Sequence, residues 1–413
     1  MARLREAHQV QLLQGGQEYF ASLVQSLDAS QHEVRMETYI FHLDDSGNQI
    51  AAALERAAAR GVRVYLTMDG VGTPRLPPEW MSRFDRSGVQ WHIFSPLGRL
   101  GMFIPSRWRR LHRKLCVVDG EVAYCGGINV MDDLFDPNHG PLKAPRLDFA
   151  VRVTGPLVQD VHEALVRFWW RLKLTAEVRS REFPAAWREL QETMRRAVAG
   201  HLRPDGESPS KYPAADSHSS ARGARAELVL RDNLRNRTRI ERAYLKAIGD
   251  ARTEVVIANA YFLPGARLRR ALIHAARRGV RVRLFLQGRY EYFLQYHASR
   301  PVYSALMDSG VEIHEYAESF LHAKVAVIDS HWATVGSSNL DPLSLLLARE
   351  ANIVVDDPRF AQTLRERLER AMAHGGKQVA AAEFAIRPRR QRVLELVAFA
   401  MMRVGLFLIG RRY

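Results

Sequence analysis

The stretch from Leu111 to Asn129, LHRKLCVVDGEVAYCGGIN, returns between Leu321 and Asn339 as LHAKVAVIDSHWATVGSSN. Each copy holds the pattern HxKxxxxD, then a glycine, then an asparagine, at equal spacings. The first copy supplies His112, Lys114, Asp119, Gly126 and Asn129; the second supplies His322, Lys324, Asp329, Gly336 and Asn339. One such pattern is weak evidence, because short motifs arise by chance. Two copies with matched downstream spacing describe a duplicated site. Each reads as a strand (Leu115 to Val118; Val325 to Ile328), a turn, and a returning strand (Val122 to Tyr124; Ala333 to Val335). A histidine and a lysine two apart on an extended strand face the same way. Gly126-Gly127 and Gly336-Ser337 are expected to leave room for a ligand beside the backbone, with Asn129 and Asn339 adding amide donors at the rim.

Working outward, Glu33 to Gly61 (EVRMETYIFHLDDSGNQIAAALERAAARG) and Glu254 to Gly279 (EVVIANAYFLPGARLRRALIHAARRG) repeat a second plan. A short β-like run is followed by a turn, an Ala-rich amphipathic helix and a second strand, Val62 to Met68 or Val280 to Leu286. A third strand, Val89 to Phe94 or Val311 to Tyr316, leads towards each motif. The fold class is therefore α/β, with two α/β sandwiches of one plan. A chain of 413 residues exceeds a single ordinary core. The expected division is residues 1–200, a linker at 201–226 rich in Pro, Ser, Gly and charge, a second domain at 227–385, and a basic, apolar tail at 386–413. The helix from Gln159 to Lys173 ends in Phe168-Trp169-Trp170, read as packing residues.

The formal charge of +15 points to polyanionic partners: nucleic acid, an anionic membrane surface or a phosphorylated substrate. The two cysteines, Cys116 and Cys125, read as buried free thiols of a reducing compartment, with no partners for a metal. The N-terminus has neither an apolar h-region nor a cleavage site, so neither secretion nor import is expected. Val393 to Ile409 is nearly all apolar and bracketed by arginines. Arg392, Glu395 and Arg403 fall on one stripe of a helix, which favours a helix lying in the membrane interface. A tilted span and a buried core helix are the alternatives.

If two such halves pack about a pseudo-two-fold axis, one pocket receives two His, two Lys and two Asn. Cations and amide donors so gathered stabilise charge on the non-bridging oxygens of one phosphate. A neutral imidazole can attack phosphorus while a protonated one gives its proton to the leaving alkoxide, with no metal or other cofactor. Each ring needs an acceptor for its other N–H, and Asp148 and Glu350, each placed after a motif at the start of a further strand, are the candidates. Asp119 and Asp329 complete the catalytic pattern by motif, while their positions in the chain read as ordinary turn residues.

These residues identify the chain as similar to the phospholipase D superfamily. Arg107 to Asn129, NAYFLPG and the stretch LHAKVAVIDSHWATVGSSNLDPLSLLLARE resemble in particular its bacterial cardiolipin synthases, of the type B branch in length. The resemblance implies two α/β/α sandwiches sharing one active site, with His112, Lys114, Asp119, His322, Lys324 and Asp329 as the catalytic set. It further implies Gly127, Asn129, Ser337 and Asn339 at the substrate, and His112 as nucleophile. The implied reaction passes a phosphatidyl group from phosphatidylglycerol or phosphatidylethanolamine, through a phosphohistidine, to phosphatidylglycerol or glycerol, giving cardiolipin in the first case. It places the protein peripherally on the cytoplasmic side of the bacterial inner membrane. The loop Leu97 to Trp108, with Leu100, Met102, Phe103 and Ile104, and the terminal helix are expected to touch the bilayer. The rivals are a phosphodiesterase hydrolysing phospholipid or nucleic acid, and a basic protein that binds lipid or nucleic acid without chemistry. The apolar loop and tail argue against nucleic acid, and intact motifs in both halves argue against a protein without chemistry.

Overall fold

The computed structural model describes residues 4–73, 75–98, 105–180, 223–232, 236–290, 293–341 and 348–408. The expected linker lies largely outside them, as do Leu100, Met102, Phe103 and Ile104. The first-half strands are β1 (Arg5–Gln14), β2 (Glu33–Thr38), β3 (Arg63–Asp69), β4 (Gln90–Phe94), β5 (Arg110–Leu111), β6 (Lys114–Val118), β7 (Val122–Gly126), the small pair β8 (Phe135–Asp136) and β9 (Gly140–Pro141), and β10 (Phe149–Thr154). The second-half strands are β11 (Ala224–Arg231), β12 (Glu254–Asn259), β13 (Arg281–Gln287), β14 (Glu312–Tyr316), β15 (Lys324–Ile328), β16 (Trp332–Gly336), β17 (Ala348–Asp356) and β18 (Gly376–Gln378).

Their order across one continuous sheet is β18-β14-β13-β12-β15-β16-β17-β11-β1-β10-β7-β6-β2-β3-β4. Read from either side towards the β11–β1 seam, the same sequence of strands appears: β14, β13, β12, β15, β16, β17, β11 against β4, β3, β2, β6, β7, β10, β1. The duplication seen in the motifs therefore extends to seven strands per half. The seam pairs the first strand of the chain with one near its middle, Arg5 opposite Ala226 and His8 opposite Ala224. Ala224, Arg225 and Ala226 thus belong to a strand paired on both sides, which corrects the linker end expected at residue 226. Ala224 and Ala226 are fully buried there, which a mobile connector would not allow.

Local chemistry explains the strand-helix-strand units. In the first half Asp44 accepts from Gly47 N at 2.9 Å and caps the helix Asp45–Ala59. Gly61 and Gly279, at φ 85° and 89°, end the two Ala-rich helices in the left-handed conformation that a side chain resists. The buried sides of the two hairpins join one core. Leu115, Val117, Phe149 and Val151 from the first half pack with Val325, Val327, Ile353 and Val355 from the second. Helix Leu157–Ser180 contributes Phe168 and Trp170, both buried, as its packing reading requires.

The C-terminal helix Arg389–Leu408 packs on the helix Phe293–Met307. Of the expected polar stripe, Arg392 and Arg403 are exposed and Glu395 is turned inward. Glu395, Ala398 and Met402 are buried, and Glu395 pairs with Arg387 at 2.5 Å, so this carboxylate faces protein rather than solvent. Val393, Leu396, Val397, Met401 and Val404 are each half exposed or more on the outer face. Among the described residues, no helix is long and apolar enough to cross a membrane.

Candidate active site

Both motif histidines sit at a break between strands. Strand β5 pairs in parallel with β17 of the other half, Leu111 opposite Arg349, and His112 N donates to Arg349 O at 3.0 Å. The chain then crosses into β6, in its own half. The second motif repeats this: Leu147 and Leu321 form a parallel bridge, and His322 N donates to Leu147 O at 2.9 Å. Each histidine is therefore stitched by its backbone to the opposite half.

The side chains cross in the same way. His112 Nδ1 lies 3.0 Å from Glu350 Oε1, and His322 Nδ1 lies 2.6 Å from Asp148 Oδ2. Each ring thus takes its carboxylate from the other half of the chain. With Nδ1–H directed at a carboxylate, Nε2 of each ring is left for reaction. Glu350 and Asp148 were legible as orienting residues; the exchange of partners between halves was not.

The glycine and serine after the hairpins serve these carboxylates, which corrects the expectation that they open ligand space. A Cβ at Gly127 would run into the Asp148 carboxylate, and one at Gly126 into Ala150 of the neighbouring strand. Ser337 Oγ donates to Glu350 Oε2 at 2.5 Å. The Asp119 and Asp329 carboxylates are likewise corrected out of the catalytic set. Asp119, at φ 53°, accepts the backbone N–H groups of Gln31, His32 and Glu33 at 2.7–2.9 Å; Asp329, at φ 49°, accepts those of Arg252, Thr253 and Glu254 at 2.8–3.0 Å. A five-residue strand separates each from its lysine, about 16 Å at about 3.3 Å per residue.

Lys114 and Lys324 are buried, and each ammonium donates to the carbonyl of its own motif histidine, Lys114 at 2.8 Å. Burial, followed by the Lys324 ammonium, lowers Lys114 to about 7. Burial raises Asp148 to about 6 despite Lys324, whose Nζ stands 3.9 Å away. Burial, then the ammonium groups of Lys324 and Lys114, holds His322 well below its ordinary value. Burial also lowers His112, against the attraction of Glu350. The lysines of both halves act on the same rings, which places the two motifs in one electrostatic site.

Residues outside the motifs complete it. The Tyr39 ring lies 4.8 Å from that of His112, and the Lys114 ammonium 5.3 Å from the Tyr39 centroid. The fully buried Asp69 accepts from Leu111 N at 2.7 Å and from Arg110 at 3.2 Å; in the second half Gln287 accepts from Leu321 N at 2.9 Å. The available signal was positional, since these residues end or directly follow the duplicated strands β2, β3 and β13. No group of His, Cys, Asp or Glu suited to a metal occurs among the described residues. Cys116 and Cys125 are buried free thiols, and burial raises both, Cys125 to about 12.

Paired histidine, lysine and asparagine across a two-fold seam agree with the matching family model, described as "Cardiolipin synthase, PLD-like domain", which covers residues 23–140 and 244–372. The chain belongs to the cardiolipin synthases of the phospholipase D superfamily. Their member cardiolipin synthase B of Escherichia coli (strain K12) is 36% identical over 91% of this chain and 83% of its own length. A cardiolipin synthase of Listeria innocua is 27% identical over 88% of this chain and 69% of its own. The crystal structure of a phosphatidylserine synthase from Haemophilus influenzae superposes with a TM-score of 0.66 at 13% identity, covering 98% of this chain and 96% of that one, and bears out the two-sandwich fold. The cardiolipin synthase match likewise bears out the enzyme class read from the sequence.

Proposed function

We propose that the protein transfers a phosphatidyl group from phosphatidylglycerol or phosphatidylethanolamine to phosphatidylglycerol or glycerol, through a phosphohistidine on His112. The cross-paired rings carry this reading: two imidazoles, each with Nδ1 held by a carboxylate of the opposite half, both feel two buried ammonium groups. Nε2 of His112 attacks phosphorus as the bond to the leaving alkoxide breaks, and His322 supplies the proton that alkoxide takes. The acceptor hydroxyl then attacks the phosphohistidine, its proton passing to His322, and the P–N bond electrons return to His112. In the empty site burial, reinforced by the two lysines, lowers the proton affinity of both rings. An arriving phosphodiester anion offsets that positive charge and raises the proton affinity of the rings, so the general acid is charged when a leaving group is present to use it. Asn129 and Asn339 and the lysines then carry charge on the non-bridging oxygens.

The reading extends to peripheral attachment at an anionic membrane, on its cytoplasmic side. The outer face of the helix Arg389–Leu408 is apolar, and Arg389, Arg390, Arg392 and Arg403 on it are exposed. Leu134 and Phe135, which follow the first motif, and Tyr290 and Phe293, which follow β13, are exposed at the strand ends that bear the histidines. Such a surface suits a bilayer, where each cation near anionic lipid contributes about 1 kcal/mol.

The test is incubation of purified protein with headgroup-labelled phosphatidylglycerol or phosphatidylethanolamine, with and without glycerol, and separation of products by mass. Cardiolipin or exchanged phosphatidylglycerol is expected. Phosphatidic acid as sole product would make the protein a hydrolase, and cleavage of DNA without lipid turnover would make it a nuclease.

A further inference from the structure

Three positions around each motif correspond between the halves. Thr38 and Asn259 end β2 and β12. Asp69 and Gln287 end β3 and β13 and hold the residue before each motif histidine. Asn129 and Asn339 close the motifs. In the first half all three are satisfied by the protein: Thr38 Oγ1 donates to Ile40 O at 2.8 Å, Asp69 Oδ1 accepts from Val71 N at 2.8 Å, and Asn129 Oδ1 accepts from Ile40 N at 3.3 Å. In the second half each keeps a buried polar atom without a partner among the described residues: Asn259 Nδ2, Gln287 Nε2 and Asn339 Oδ1. Asn259 is 0% exposed and Asn339 2%. Asn259 stands directly across the ladder from Lys324, so their side chains share a face, and its Oδ1 accepts from Leu340 N at 3.1 Å, next to Asn339.

A buried polar group left unpaired costs about 1–3 kcal/mol, so three around one histidine, with none at their counterparts, call for a ligand. A phosphodiester brings only acceptors and would leave Asn339 Oδ1 unanswered. A polyol brings hydroxyls that donate and accept. Tyr39 stands 4.8 Å from the His112 ring, whereas its counterpart after β12 is the small Ala260.

We propose that Asn259 and Asn339, flanked by Gln287, form the subsite for the hydroxyls of the acceptor alcohol, against the second half and beside His322. The proposal rests on the transfer reaction proposed above and adds which face takes the acceptor and how. Free glycerol and the glycerol headgroup of phosphatidylglycerol share this chemistry. The acceptor oxygen bonds to phosphorus as the P–N bond to His112 breaks, and its proton goes to Nε2 of His322.

The test uses the full-length protein in phosphatidylglycerol vesicles with deuterated glycerol and 1-propanol competing as acceptors. Labelled phosphatidylglycerol, phosphatidylpropanol, cardiolipin and phosphatidic acid are measured together. Both alcohols partition one intermediate, so their product ratio reports acceptor recognition alone. Asn259→Thr imports the first-half residue, and Gln287→Glu imports the carboxylate that Asp69 carries there. Asn259→Thr is expected to lower the glycerol-over-propanol preference at least tenfold and raise the KM for glycerol. A parallel fall in cardiolipin places the lipid headgroup in the same subsite; undiminished cardiolipin beside lost glycerol preference restricts it to free glycerol. An unchanged preference in both folded variants overturns the subsite. Wild-type protein that forms phosphatidic acid alone, or none of the four products, removes the transfer reaction and the subsite together.

Discussion

His112 and Glu350 are joined at 3.0 Å although 238 residues separate them along the chain. The ring proposed to attack phosphorus is thus oriented from the other half. Glu350→Gln keeps the shape but no longer secures the Nδ1–H tautomer. We expect kcat to fall about 10²- to 10⁴-fold with little change in KM, measured by cardiolipin formation. Loss confined to KM would show that Glu350 acts on the substrate instead.

The two rings have different fates in the proposed cycle. His322→Ala is expected to retain a covalent phosphatidyl adduct after quenching in alkaline denaturant, which preserves the acid-labile P–N bond, and His112→Ala to form none, as read by intact-protein mass. The reverse pattern would exchange the roles of nucleophile and general base.

The site has a pH window with two limbs. His112 must be neutral to attack, and burial lowers its pKa, so the acid limb lies below the ordinary imidazole range. Lys114 must be charged to hold phosphate, and it loses its proton as pH rises through about 7. The profile of kcat/KM is expected to peak between these limbs, and Lys114→Arg to move the alkaline limb upward by more than one pH unit. An unmoved limb would assign it to another group.

The same lysine costs stability. Its folded pKa lies below the ordinary value, so the penalty for burying its charge is full below about pH 7 and vanishes above about 10.5. Lys114→Met should raise the melting midpoint at pH 6 by about 2 °C or more while abolishing turnover. A lower midpoint would mean that Lys114 is a net structural asset.

The motif aspartates should behave oppositely to the histidines. Asp119→Ala removes an acceptor shared by three backbone N–H groups and is expected to cost about 2–3 kcal/mol in urea unfolding, with kcat retained. A collapse of kcat in the folded variant would return Asp119 to the catalytic set.

Much of this site was legible because duplication is visible in letters. Repeated spacing revealed His112, Lys114, His322 and Lys324, and the strand periods around them held to within a residue or two. Asp148 and Glu350 were found by position after each motif. Their exchange between halves was not, because pairing across a seam depends on β5 reaching β17, and a two-residue strand leaves no pattern. The seam strands β1 and β11 were missed too, though Val10 and Leu12, like Ala226 and Leu228, alternate with polar residues. The terminal helix was read correctly as amphipathic, with Arg392 and Arg403 exposed, but Glu395, which seemed bound for water, pairs with Arg387 inside. Asn259 stood in a quoted segment, yet its idle amide shows only beside Thr38.

Strand β17, which carries Glu350, is the last of the strands around the pocket to leave the ribosome. Until it emerges, His112 lacks both its carboxylate and the backbone carbonyl that fixes it. A chain whose second half has not yet been made therefore holds a complete first motif in which His112, the nucleophile proposed above, lacks both of these supports.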